Sequence, residues 1–171
     1  MPVVYIRYFL LSAILILAQI LVLNNIWLSG YFNPQLYVMA ILILPLFLPG
    51  WVLLASAFFL GLIIDMFTDS LAIHAAATVF MAFCRPAVIR LVLGKTYDNE
   101  TEIPSFAAFG GLSLVIYVVL MVFLHHTVLF FMEIFRLNEF GQTLGRIILN
   151  SALTSLFVII LFALLERNFR K

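Results

Sequence analysis

The sequence predicts an all-α integral membrane protein, a single domain (1–171) folded as a bundle of six transmembrane helices. Three observations carry that prediction. Of 171 residues, 65% are hydrophobic and only 10% charged, and the mean hydropathy is +1.21. A soluble domain carries about a quarter charged residues to cover its surface, so most of this surface is matched to lipid. The charges are also clustered, with no Asp, Glu, Lys or Arg between Tyr8 and Ile64. Finally, the apolar runs are continuous. A membrane β-barrel needs alternating segments of about 10 residues, whereas a helix satisfies its own backbone in lipid.

The spans follow from the punctuation, since crossing a hydrocarbon core of about 30 Å takes about 20 residues. The first is expected at 8–28 and is closed by the turn formers of "SGYFNP". It is too long, and too poor in small residues at its end, to read as a cleavable signal peptide. The second, 35–48, opens on "NPQL" and is short, stopping at Pro49-Gly50. The third is expected at 51–67, the fourth at 71–93 after "TDS". The hydrophilic "KTYDNETEIP" (95–104) divides four helices from two, the fifth at 108–131 and the sixth at 144–165. Six spans put both termini on one side, with Arg7, Arg85, Arg90, Lys95, Arg167, Arg170 and Lys171 against Arg136 and Arg146 on the other. The positive-inside rule makes the richer side cytoplasmic. Asp65, Asp69, Glu133 and Glu139 then lie toward the outer face.

The net charge of +1 supplies no dense basic face for nucleic acid. Cys84 is the single cysteine, so an internal disulfide and a CxxC pair are both excluded, and it reads as a small packed side chain. No HExxH, GxSxG or phosphate loop occurs. The chain therefore presents no catalytic constellation, and no cofactor or metal is expected.

The charged and polar residues inside spans are the candidates for a role. Asp65 and Asp69 are four apart and share a helix face. Asp69 is expected to end the third helix or cap the fourth. Asp65 lies short of the interface, where an acid is expensive and faces protein; with His74 it makes only a weak zinc signal. Arg85 is expected to snorkel toward the cytoplasmic interface, and Pro86 to kink its helix. His125 and His126 sit near the outer end of the fifth span, about 100° apart, and cannot chelate one metal together. In the sixth span Arg146, Asn150 and Thr154 recur at four-residue steps, with Ser151 and Ser155 beside them. Such a small, polar stripe marks helix–helix contact. In the first span Ser12 and Gln19 share a face.

Gln19, "NPQL" (Asn33, Pro34, Gln35, Leu36), the short second span, "PG" before the third and "GLIIDMFTDSLAIHA" together resemble the rod-shape-determining MreD family. Gly61, Leu62, Asp65, Leu71, His74 and Ala75 match the family's motif, while Ala72 stands where the family often has Gly, a departure expected to mean slightly looser packing or a lineage variant. The resemblance spans the whole length. It implies a scaffold subunit of the elongation machinery, the elongasome, in the bacterial cytoplasmic membrane. It would bind MreC directly, with MreB, RodA and a class B penicillin-binding protein in the larger complex, helping to maintain rod shape and position peptidoglycan synthesis. It also implies a fold similar to the S-components of energy-coupling-factor transporters. That supplies a rival expectation, a subunit binding a vitamin or other small molecule in an outer pocket lined by Asp65, His74 and His125. In the scaffold reading, Asp65 is a polar anchor for the outer turn and the register of helices three and four.

Overall fold

The computed structural model describes residues 2–25, 33–94, 104–134 and 140–169. Its elements are α1 (Pro2–Leu21), a 3₁₀ turn (Leu23–Asn25), a second 3₁₀ turn (Leu36–Val38), α2 (Met39–Leu42), α3 (Gly50–Thr68), α4 (Ile73–Leu93), α5 (Phe106–Phe109), α6 (Gly111–Ile134) and α7 (Phe140–Phe169). Every regular element among the described residues is helical. The long helices pack in chain order, α3 on α4, α4 on α6 and α6 on α7. Successive long helices are antiparallel, which puts the 69–72 turn, Glu133 and Arg146 at one end of the bundle. Pro49 and Glu166 mark the other.

Four helices are long and apolar enough to cross a membrane: Gly50–Thr68, Ile73–Leu93, Gly111–Ile134 and Phe140–Arg167. Two of the six expected spans are not among these four: the apolar part of the first, Phe9–Asn25, is shorter, and the second is not a continuous helix. Residues 35–48 form no continuous helix. One 3₁₀ turn and the single α-turn of α2 give way at Ile43 to irregular chain. Pro45 and Pro49 account for this. Each lacks an N–H, and each disfavours the helical conformation in the residue before it. The segment is apolar because protein surrounds it. Tyr37 to Ile43 are each at most 2% exposed, in a core shared with α3, α4, α6 and α7. An apolar run of 10–14 residues suits a buried core segment as well as a span.

The other boundaries shift for local reasons. α1 begins at Pro2 and ends at Leu21, with one 3₁₀ turn to Asn25; 26–28, the end of the expected first span, lie outside the described residues. The expected fifth span is α6, preceded by the separate short helix α5. Ser105 Oγ accepts from Ala108 N at 3.1 Å to open α5, and Gly110, at φ +79°, ends it before α6 starts. α4 continues through Pro86, whose ring lies on an exposed face. Lys95, Arg136, Glu139, Arg170, Lys171 and most of the 95–104 loop lie outside the described residues.

Candidate functional site

The polar side chains of the long helices converge on the broken segment 33–48. A helix of one turn leaves nearly all its terminal N–H and C=O groups without internal partners, and at membrane depth each must be paired. At its start, Asn33 N donates to Asn150 Oδ1 at 2.7 Å, Gln35 N to Thr154 Oγ1 at 3.2 Å and Leu36 N to Gln19 Oε1 at 2.8 Å. Pro34 has no N–H, and its carbonyl accepts from Gln19 Nε2 at 3.2 Å. At its end, Arg85 Nη2 donates to Leu42 O at 3.3 Å and to Leu44 O, and Nη1 to Pro45 O at 3.5 Å. Arg85 Nε donates to Tyr117 Oη at 2.9 Å, and that hydroxyl donates to Leu42 O at 3.2 Å. The N–H end is thus held by α1 and α7, and the C=O end by α4 and α6.

Arg85 therefore does not snorkel. It is 2% exposed and turns inward, because a planar guanidinium is the one side chain that can serve three carbonyls and a hydroxyl together. The histidines are corrected in the same sense. His125 and His126 are both 0% exposed and belong to an interior network, not to a polar interface. Tyr37 Oη lies 2.9 Å from His74 Nδ1 and 2.9 Å from His125 Nε2. A hydroxyl has one proton, so it donates to one ring and accepts from the other. His126 bonds Val122 O through Nδ1 at 2.9 Å and faces Thr154 Oγ1 through Nε2 at 3.3 Å.

The 61–78 stretch forms a second polar unit. Asp65, 4% exposed, accepts from His74 N at 3.0 Å and Ser70 Oγ on one oxygen, and from Ala75 N at 2.8 Å on the other. A carboxylate on two first-turn N–H groups is a helix N-terminal cap with the favourable charge. Asp69 does not provide that cap. It ends α3 as a left-handed residue at φ +52°, its N–H returning to Asp65 O. Ala72, at φ +59°, is the residue preceding α4 and has no side chain to cap with. Gly61 makes the crossing possible, because a Cβ there would overlap Ala75 Cα and Thr78 Oγ1. Thr78 Oγ1 donates within that contact, 2.8 Å from Ala57 O.

A cavity of about 560 Å³ opens at the same end of the bundle. It is walled by Asn33, Gln35 and His74, by the 68–71 turn, by Leu129, Phe130 and Glu133 of α6, and by Arg146. Of the three residues expected to line an outer pocket, His74 does so. Asp65 and His125 lie behind the wall, each engaged as described. Ser151 and Ser155, though adjacent in sequence to Asn150 and Thr154, line a shallow apolar groove between α6 and α7 with Val119, Phe123 and Ile148. Among the described residues, no group of three or more His, Cys, Asp or Glu is placed to hold a metal ion.

Sequence reasoning missed Tyr37, Tyr117 and the main-chain carbonyls of 42–45. The signal for the last was present: two prolines in a short apolar run, opposite an arginine in the middle of a span.

By length and composition of its helices, this is a multi-pass helical membrane protein. No family model matches the chain, and no curated protein or solved structure matches it.

Proposed function

We propose that the chain is a non-catalytic membrane scaffold subunit of the MreD type, binding MreC and helping to position peptidoglycan synthesis during cell elongation. The observation that carries this reading is the 61–78 unit. The residues that resemble the family's motif are the ones the turn needs: Gly61 at the helix crossing, Asp65 as the cap, and His74 and Ala75 as the residues capped. The single departure falls at Ala72, whose φ of +59° is a conformation that glycine adopts without strain. Backbone geometry, not looser packing, is what a glycine there would serve. The acid is committed to three hydrogen bonds within the fold, which suits an anchor and not a proton donor to substrate.

In this reading the chain crosses the bacterial cytoplasmic membrane six times, with α1 and the broken 33–48 segment as the first two crossings. The broken segment is tolerated because irregular backbone at membrane depth can be buried in protein. Both termini are cytoplasmic and the 69–72 turn is outer, on the balance of Lys and Arg in the sequence. Depletion of the protein from rod-shaped cells tests the proposal. The scaffold reading predicts rounding and no stabilisation of the purified protein by a panel of vitamins. A vitamin carrier gives normal cell shape and a melting temperature that rises with RT ln(1 + [L]/Kd).

A further inference from the structure

We infer that the cavity beside the 69–72 turn is a binding site for a zwitterionic group, one ammonium and one carboxylate or phosphate, carried on an apolar body. At about 560 Å³ it lies within the range of small-molecule sites, about 300–1,000 Å³. Its charged lining is mixed: Asp69 and Glu133 against Arg146. A lone anion meets two carboxylates there and a lone cation meets the guanidinium; a group carrying both charges meets a complement for each. Leu71, Ile73, Leu129 and Phe130 supply the apolar wall.

Two details favour an occupant over a self-contained ion pair. Arg146 Nη2 stands 3.8 Å from Glu133 Oε1, longer than the roughly 2.7–2.9 Å of a direct charged hydrogen bond. Its Nε is buried without a partner, and the Phe130 ring, 5.1 Å from Cζ, fixes the guanidinium plane. That arrangement leaves an Nε edge suited to a carboxylate or phosphate. Gln35, which also lines the cavity, is 3% exposed, and its Oε1 is buried without a partner. A rotation of the Gln35 amide into the cavity lets it accept an ammonium N–H, with Asp69 supplying the charge.

The chemistry is shared by a free amino acid and by a phosphatidylethanolamine headgroup. Thermal melting of the full chain in detergent separates them. The free probes are phenylalanine, phenylalaninamide and N-acetylphenylalanine; the lipid probes are short-chain phosphatidylethanolamine and phosphatidylcholine, whose quaternary ammonium has no N–H. A saturable stabilisation by phenylalanine but by neither single-charge derivative supports a free zwitterion. Stabilisation by the ethanolamine lipid but not the choline lipid supports a headgroup. In either case Arg146→Met weakens apparent affinity ~10-fold or more, about 1.4 kcal/mol. So does Leu71→Trp, which narrows the mouth at a residue 92% exposed and leaves the core untouched. The inference is overturned if no probe stabilises the protein, if single-charge derivatives or the choline lipid act equally, or if both variants keep full affinity. It goes beyond the scaffold reading, and partner binding does not bear on it.

Discussion

Ala72 is held in a left-handed conformation that its Cβ disfavours, by about 1–2 kcal/mol. Ala72 is exposed. Ala72→Gly is therefore expected to stabilise the protein by about 1 kcal/mol, read as a higher melting temperature in detergent; a loss of stability would show that the turn does not have this geometry. Gly61 responds the opposite way. Gly61→Ala places a methyl group against the Ala75 backbone, which cannot rotate aside, and overpacking of this kind costs about 1–3 kcal/mol. The sequence made Asp65 legible as a structural anchor, because a lone acid below the interface must face protein. Its division of labour with Asp69 was not legible. Which of two acids four residues apart caps the next helix depends on the turn between them, and the turn depends on two left-handed residues, neither of them Gly.

Among the elements, the broken segment 33–48 sets what the surrounding helices carry. Asn150 and Thr154 on α7, Gln19 on α1, Tyr117 on α6 and Arg85 on α4 each give it at least one hydrogen bond. Arg85→Ala removes the donors of Leu44 O and Pro45 O, leaving buried carbonyls unpaired at about 1–3 kcal/mol each. A loss of at least about 2 kcal/mol is expected, and Arg85→Lys should restore only part of it, since an ammonium cannot span the same acceptors. Equal stability of Arg85→Ala and wild type would contradict the clamp. The α7 stripe was legible as a contact face, but it is really two faces. Asn150 and Thr154 look inward, while Ser151 and Ser155, 5% and 4% exposed, floor the α6–α7 groove. Ser151→Leu or Ser155→Leu is expected to reduce folded protein or MreC recovery, by about 1–3 kcal/mol if overpacking alone acts. Leu153→Ile should do neither. Normal abundance, partner recovery and rod shape in both serine variants would assign that groove to lipid.

For the whole molecule, the membrane class and four of the helices were legible because long apolar runs have few other uses in a chain so poor in charge. The break in segment 35–48 was not legible, because apolar composition reports removal from water and does not distinguish a lipid-facing helix from irregular chain buried in protein. The arginine and the histidines were misplaced for the same reason: their partners are main-chain carbonyls and a tyrosine, and these give no charge signal in the sequence. Topology is testable at Leu71, 92% exposed in the turn and a better reporter than Ser70, whose hydroxyl is bonded to Asp65. A cysteine there, on a Cys84→Ala background, should react with an impermeant thiol reagent applied to intact spheroplasts. Labelling only after the membrane is opened would invert the topology.

The scaffold proposal is tested most directly by purifying the tagged protein from its native membranes at native abundance and measuring MreC in the eluate by quantitative mass spectrometry. The account predicts MreC in near-stoichiometric amount, retained by Leu153→Ile and diminished by Gly61→Leu, which forces α3 and α4 apart. Recovery of folded, monodisperse protein with no MreC above the level of an unrelated tagged membrane protein would contradict it.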